Sequence, residues 1–198
     1  FARIGDSLTG LVSDDSRELP PIRIAIAGDF DGAEKEIRLP MLHGAEMLVE
    51  ELNAIGGVAG RPIELVVFND KGAPAYAEQI AEKIGTDPDL VAVIGHANSE
   101  TSRPAAHLYR LYKIPALTPT ATNPNISLLN DWYFRLIYND NLQAKVLAHY
   151  LRSVLEHESV AIVMDQSAYA QTLSRTFAST STDIGLNVGA EFSFSSES

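Results

Sequence analysis

The chain has 198 residues, a formal net charge of −11 and a hydrophobic fraction of 45%, which is typical of a globular protein with one large domain or two small ones. The excess of 26 Asp and Glu over 15 Lys and Arg argues against nucleic acid or an anionic lipid surface as the main partner. The absence of cysteine excludes a disulfide scaffold and a thiol nucleophile, and no apolar run approaches the ~18 residues of a membrane span.

Residues 1–21 are interpreted as a polar leader that ends at Pro20 and Pro21, a stiff break before the first apolar run. This leader lacks the basic start and apolar block of a signal peptide. A secretory signal that has already been removed would leave no trace in this chain.

From residue 22 onward, short β-branched runs alternate with segments of helical periodicity. The predicted strands are residues 22–27, 63–68, 90–94, 115–117, 133–137, 160–164 and 188–194. The predicted helices are residues 42–55, 75–84, 101–112, 142–155 and 169–178. Pro104 is expected in the first turn of its helix, and the hydroxyl residues 174–182 are interpreted as a helix end that runs into a loop. The alternation predicts an α/β fold with a parallel sheet wrapped by helices on both faces.

A polar break at residues 138–141 carries helix N-cap chemistry and precedes a long apolar stripe from Leu142 to Leu155. We therefore predict two lobes. The first covers residues 22–139, and residues 140–198 form the start of the second.

Catalytic motifs are missing from the sequence, which contains no G-x-G-x-x-G, no G-x-x-x-x-G-K-[ST] and no G-x-S-x-G. The five histidines lack metal-binding spacing, so solvated or core-edge positions are expected for them. Asp29 and Asp31 follow the first strand and leave open an enzyme with a divalent ion, but no nucleophile or phosphate motif accompanies them. We predict no catalytic residues, no metal and no cofactor.

Two loops at predicted strand ends, residues 95–101 and 118–124, are rich in small hydroxyl side chains. In parallel sheets, ligands bind beyond the carboxyl ends of the strands. The first loop runs into a helix, so the N–H groups of residues 99–102 are expected to be free for a carboxylate, with the Ser99 hydroxyl beside them. The second loop offers carbonyls that suit an ammonium group. The pattern favours a zwitterion site; an N-cap at Ser99 and an ordinary turn at 118–122 are the open alternative.

Several stretches together resemble one known family. They are residues 24–28, 31–32, 43–46, 53–60, 93–96 with Ser99, 118–124, 134–135 and 165–169. In order and spacing they resemble the amino-acid-binding branch of the type I periplasmic binding proteins, the branched-chain amino-acid receptors of ABC importers. The resemblance implies two flavodoxin-like lobes, each a parallel sheet flanked by helices, that close on a ligand by a hinge.

The resemblance also implies roles for individual residues. Residues matching Ser99 and Thr122 hold the ligand carboxylate, and the backbone at Thr120, together with Thr122, receives the ammonium group. Ala121, between them, belongs to the same set. A tyrosine matching Tyr169 lies on the second lobe and covers the ligand on closure.

Weaker candidates are Phe30, Ile37 and Asn98, which occupy places where the family sets side-chain selectivity. Asn98 makes this part of the pocket more polar than one built only for aliphatic side chains. In the family, the acidic residue that pairs with the ligand ammonium comes from later in the second lobe than this chain extends.

The sequence therefore predicts an exported, periplasmic or extracellular solute-binding receptor that delivers an amino acid to the permease of an ABC importer. The alternative is the ligand-sensing module of a membrane receptor, with the leader as a linker from an upstream element. Family members are considerably longer than 198 residues, so the chain is expected to supply most of the first lobe and only part of the second.

Overall fold

The computed structural model describes residues 19–33, 35–128 and 130–195. Most of the predicted leader, residues 1–18, lies outside the described residues. The strands are β1 (Ile22–Gly28), β2 (Ile63–Asn69), β3 (Leu90–Gly95), β4 (Ala116–Thr118), β5 (Tyr133–Arg135), β6 (Ser159–Met164) and β7 (Asn187–Ser193). The helices are α1 (Lys35–Ala54), α2 (Pro74–Thr86), α3 (Ser99–Tyr112), α4 (Asp140–His149) and α5 (Ala168–Asp183).

Two parallel sheets organise these elements. The first sheet has five strands in the order β2-β1-β3-β4-β5, and Ile24 of β1 pairs with Leu65 on one side and Ala92 on the other. The second sheet pairs β6 with β7, with Ser159 opposite Asn187. The predicted α/β class with parallel strands and intervening helices is confirmed. The division into lobes between residues 139 and 140 stays a prediction.

Small residues let the helices pack closely on the first sheet. Ala25 and Ala27 of β1 are fully buried, and α2 and α3 pack in the same cluster through residues such as Ala81, Ala105 and Tyr109. Alanine at these positions brings the backbone of helix and sheet close together, which favours the dense packing of a protein interior. This core lies directly beneath the loops that leave the carboxyl ends of β3 and β4.

Helix α1 differs from its prediction in extent and in burial. It begins at Lys35 and contains Pro40, and none of its residues is buried. On the predicted apolar stripe, Leu48 is 55% exposed, and Ile55, just beyond the helix, is 80% exposed. Periodicity identified the apolar face, but the described residues do not cover it.

The starts and ends of two other helices also correct the sequence analysis. Helix α3 begins at Ser99, so Pro104 lies inside the helix rather than in its first turn. Helix α5 continues to Asp183, and Ser181 within it is fully buried, so the interpretation of residues 174–182 as a helix end that runs into a loop is wrong. The Thr182 hydroxyl bonds back into the helix by donating to the Ala178 carbonyl at 3.0 Å.

Helix α4 buries a different face from the one predicted. Its fully buried apolar residues are Ala144 and Ala148, and it continues into one π-helical turn at Tyr150–Val154. The predicted stripe is exposed at Leu142, Val146, Leu147, Tyr150, Val154 and Leu155. Within the described ranges, no helix has both the length and the apolar character needed to cross a bilayer.

Candidate functional site

Strand β3 ends at Gly95, a position where only glycine fits. Gly95 has φ of +127°, and a Cβ added there would lie 2.2 Å from the Ala27 carbonyl oxygen of β1. Glycine allows both the backbone conformation and the close approach. The chain can therefore leave the sheet here and enter α3 directly.

Asn98 caps α3 and takes up part of the donor set expected at this helix end. Its Oδ1 accepts hydrogen bonds from the Thr101 N–H at 2.8 Å and the Thr101 hydroxyl at 2.9 Å, and its carbonyl accepts from the Ser102 N–H at 3.0 Å. The expectation that all the N–H groups of residues 99–102 are free is therefore wrong. In the part of the chain that the structure describes, the N–H groups of Ser99 and Glu100 have no hydrogen-bond acceptor.

The structure brings the Ser99 hydroxyl against the loop that follows β4. Ser99 is 4% exposed, and its Oγ accepts a hydrogen bond from the Asn123 N–H at 3.2 Å. Thr122, the residue before Asn123, is 8% exposed. Ser99 is not the N-cap, which is Asn98, so the alternative reading of Ser99 is wrong. The two loops therefore meet where Ser99 contacts Asn123, next to Thr122.

Thr120 and Ala121 take different positions in the second loop. Thr120 is exposed, and its hydroxyl donates to the Ala97 carbonyl at 2.5 Å, which ties the second loop to the first. Ala121 is 1% exposed, and its N–H donates to the Thr118 hydroxyl at 3.0 Å. The backbone of this loop is therefore fixed from both sides.

Arg135, at the end of β5, holds the same loop from below. Its guanidinium group donates to the Ala121 carbonyl at 3.2 Å and to the Asn123 carbonyl at 2.8 Å. The carbonyl of Thr122, between them, accepts from the Asp140 N–H at 3.0 Å. The sequence analysis placed Arg135 in a stretch that resembles the family but gave it no role. An arginine at the end of a short predicted strand, close in sequence to a hydroxyl-rich loop, is the signal that could have indicated its structural role.

Asp140 is the main site residue that sequence reasoning missed. Its side chain is fully buried at the start of α4, and neither carboxylate oxygen has a partner in hydrogen-bonding geometry among the described residues. Burial raises the pKa of Asp140, while the nearby Thr122 hydroxyl and the charge of Arg135 act against that rise. The N-cap chemistry seen at residues 138–141 obscured this residue, because an aspartate there is also explained by capping. The cap is Asn139.

A buried polar cluster lies beneath the two loops. His96 is fully buried, with Nδ1 2.7 Å from Asp70 Oδ2 and Nε2 2.9 Å from the Tyr109 hydroxyl. The Tyr133 hydroxyl accepts from the His96 N–H at 2.9 Å. Burial by itself would raise the pKa of Asp70, but hydrogen bonding and charge from His96, with the Gly72 N–H, bring it below its ordinary value. His96 is thus a core histidine with partners, not the solvated or core-edge residue expected.

The His96 carbonyl connects this cluster to the loop that follows β4. It accepts from the Thr118 hydroxyl at 2.9 Å and from the Ser102 hydroxyl at 3.1 Å. Thr118 in turn accepts from Ala121, so one chain of hydrogen bonds links the core to the second loop. The cluster therefore supports the loop geometry.

Tyr169 and the weaker candidates are placed as follows. Tyr169 is 38% exposed near the start of α5, and its hydroxyl accepts from the Gln143 side-chain amide of α4 at 3.2 Å. Phe30 is half-buried, and its ring would lie 3.0 Å from a Cβ placed on Gly28 at the end of β1. Ile37 is 76% exposed in the first turn of α1.

The two aspartates considered for a divalent ion hold the loop after β1 instead. Asp29 accepts from the Gly32 N–H at 3.0 Å, and Asp31 accepts from the Asn69 side-chain amide. Across residues 19–33, 35–128 and 130–195, no three His, Asp or Glu residues form a group that could hold a metal ion.

Comparison with known proteins agrees with this architecture. The chain belongs to the periplasmic binding protein family, whose model matches residues 21–197. It is 30% identical over 169 residues to a Pseudomonas aeruginosa protein named amino acid binding protein, covering 85% of this chain and 45% of that protein. It is 30% identical over 158 residues to the Leu/Ile/Val-binding protein of Escherichia coli, covering 78% of this chain and 42% of that protein. Such relatives are named as binding proteins rather than enzymes.

Solved structures match the same half of their chains. An ABC transporter substrate-binding protein from Desulfitobacterium hafniense in complex with Leu has a TM-score of 0.76 at 30% identity, over 88% of this chain and 51% of that chain. A branched-chain amino acid transporter substrate binding protein from Streptococcus pneumoniae in complex with isoleucine has a TM-score of 0.82 at 24% identity, over 90% and 51%. The chain thus spans about half the length of the relatives it matches.

Proposed function

We propose that this chain forms the anchoring part of the ligand site in an exported solute-binding receptor, which closes around an amino acid and delivers it to the permease of an ABC importer. The observation that carries the proposal is the buried carboxylate of Asp140 beside Thr122, where the two loops meet. No catalytic step is proposed, because the chemistry of this site is that of holding charges.

The two ends of a zwitterion fit different parts of the site. The ligand carboxylate is received by the Ser99 hydroxyl and by the N–H groups of Ser99 and Glu100 at the positive end of α3. The ammonium group is received by the Thr122 hydroxyl, behind which the buried Asp140 carboxylate supplies a negative charge. An ammonium ion compensates this charge, because the Asp140 carboxylate oxygens have no partner in hydrogen-bonding geometry among the described residues.

Tyr169 is proposed to cover the ligand from the second lobe. It stands at the start of α5, whose first N–H is bonded to the Glu100 side chain of the first lobe. Leucine and isoleucine are the ligands bound in two of the matching structures, and we propose an amino acid of this class.

Titration calorimetry of the complete natural protein against the common L-amino acids tests this proposal. We expect at least one amino acid to bind and benzoate, a carboxylate without an ammonium group, to give no heat. Asp140→Asn and Thr122→Val should each weaken binding about tenfold or more, because the first removes the negative charge behind the ammonium group and the second removes its hydrogen-bond acceptor. Thr86→Val, at the exposed end of α2, is the matched control and should bind like the natural protein.

Two results would overturn the proposal. If a folded sample bound none of the amino acids in the panel, the proposed function would be wrong. Binding of benzoate, with affinity unchanged in Asp140→Asn, would keep a receptor but remove the ammonium site.

A further inference from the structure

Two side-chain contacts join the proposed lobes close to the candidate ligand site. The Glu100 carboxylate at the start of α3 accepts a hydrogen bond from the Ala168 N–H at the start of α5. The Asn123 side-chain amide donates to the Thr172 hydroxyl at 3.0 Å. The first contact joins residues separated by 68 positions in sequence and the second by 49, so neither contact arises from local chain geometry.

Both contacts involve direct neighbours of proposed ligand residues. Glu100 follows Ser99, Asn123 follows Thr122, and Ala168 precedes Tyr169. The distance between the two faces of the ligand site therefore depends on the same backbone segments that make these contacts.

The Glu100 carboxylate lies where two helices favour a negative charge. It belongs to the first turn of α3 and bonds to the first N–H of α5, a group that has no partner within its own helix. The Ser167 side chain caps α5 at a different N–H, that of Ala170, at 3.1 Å. The positive end of the helix dipole strengthens the attraction. Glu100 thus completes the N-terminus of a helix from the opposite lobe.

The surroundings of this contact are polar and contain positive charge. Arg103 and Arg175, one from each lobe, line the same cleft as Glu100, together with Asn123 and Thr172. Apolar side chains would hold such a surface together by burial, but here hydrogen bonds and charge have to do so. Removing one of them should therefore change how often the lobes meet.

We propose that Glu100 and Thr172 are positioning residues that form an interlobe latch, which sets ligand affinity by stabilising the arrangement that encloses the ligand. This inference rests on the proposed function. The latch acts through the side chains of Glu100 and Thr172, which bond to the opposite lobe, whereas Glu100 meets the ligand only through its backbone N–H. A ligand binds a protein with an apparent affinity reduced by the fraction of molecules in the competent arrangement, so a weaker latch weakens every ligand by one common factor.

The first test measures how each substitution changes the affinity for a series of amino-acid ligands. In the complete natural protein, Glu100→Gln keeps the size of the side chain but removes its charge, and we expect all amino-acid ligands to bind about tenfold more weakly, by the same factor. Thr172→Val removes the acceptor of Asn123 and should weaken all of them by a smaller common factor. Glu78→Gln, an exposed glutamate on α2, is the matched control and should bind as the natural protein does. Thermal unfolding of each variant reports any loss of fold.

The second test measures lobe separation without a ligand. The chain contains no cysteine, so spin labels can be placed at Glu46→Cys on α1 and Glu158→Cys before β6, both exposed. Pulsed electron spin resonance should show a shift toward longer distances in Glu100→Gln and none in Glu78→Gln. This measurement remains informative even if no amino acid binds, so the latch and the proposed function can fail separately.

Unequal loss of affinity across ligands would show that the Glu100 side chain contacts the ligand and would overturn the latch. An unchanged distance distribution in Glu100→Gln would overturn it as well.

Discussion

The two sheets of this molecule differ in how completely they are covered. In the first sheet, Ala25, Ile26 and Ala27 of β1 are all fully buried. In the second, Val163 of β6 is 69% exposed and Phe192 of β7 is 59% exposed. Within the described residues, the first sheet has five strands and the larger packed core, and the second sheet has two strands in a chain that spans about half the length of its relatives. The residues proposed to anchor the ligand follow strands of the first sheet, and Tyr169, proposed to cover it, follows a strand of the second.

The largest loss of stability that we expect comes from a substitution in the buried cluster of the first sheet, compared with a substitution on the surface next to it. His96→Ala leaves the buried Asp70 carboxylate without its side-chain hydrogen-bond partner in the core, and the free energy of unfolding should fall by about 3–5 kcal/mol. His107→Ala, on the exposed side of α3, should change it by less than about 0.5 kcal/mol. Urea denaturation followed by circular dichroism measures both. Equal effects of the two substitutions would refute the view that the buried cluster supports this lobe.

A matched pair of isoleucines compares the two sheets directly. Ile26→Ala, at a fully buried position of β1, should cost toward the upper end of about 2–5 kcal/mol, because a cavity remains in a tightly packed core. Ile162→Ala, at a position of β6 that is 9% exposed, should cost toward the lower end of the same range of about 2–5 kcal/mol. Val163→Ala, next along β6 and exposed, is the control and should be close to neutral. A larger loss for Ile162→Ala than for Ile26→Ala would reverse the comparison.

The smallest effect concerns two buried carboxylates with opposite pKa shifts. The pKa of Asp140 is raised by burial, so its ionised form destabilises the folded protein above that folded pKa, and the penalty disappears as pH falls through it. Asp140→Asn should therefore stabilise the unliganded protein by about 1–2 kcal/mol near neutral pH, with a gain that shrinks in acid. Urea denaturation across an acidic pH series measures this gain.

Asp70→Asn is the contrasting variant. The pKa of Asp70 is lowered, so its ionised form stabilises the fold above the unfolded pKa, and this contribution is lost as pH falls through the folded pKa. Asp70→Asn should destabilise the protein near neutral pH, and the difference should shrink in acid. If both variants shifted stability in the same direction, the assignment of Asp140 as an uncompensated carboxylate would be wrong.

Local sequence signals predicted the strands well, most clearly β1, β2 and β6, which are compact runs rich in β-branched residues. β1 was predicted at 22–27 and lies at Ile22–Gly28, and β6 was predicted at 160–164 and lies at Ser159–Met164. Helix faces were harder to predict. On α4, the larger apolar residues suggested one face, yet the close approach of α5 selects Ala144 and Ala148. Burial depends on what packs against a helix, which periodicity does not contain.

The candidate site was predictable only where a side chain lies in a hydroxyl-rich loop, within a few residues of the carboxyl end of a predicted strand. Ser99 and Thr122 met that condition, and their roles as ligand residues remain proposals. Asp140 did not, because it reaches Thr122 only through the crossing of the chain from β5 to α4. The Glu100 contact with Ala168 spans 68 positions and left no local signal.

Arg135 carries a consequence for redesign of the site. It fixes the backbone on both sides of Thr122 by binding the carbonyls of Ala121 and Asn123. The backbone around Thr122 is therefore held by a side chain outside the loop, so the Thr122 side chain can vary in chemistry while the loop keeps its path. Thr120 has to be kept, because its hydroxyl ties the loop to the Ala97 carbonyl. New ligand preferences can thus be introduced at Thr122 while Arg135 is kept, which makes this half of the molecule a suitable starting scaffold for an engineered small-molecule sensor.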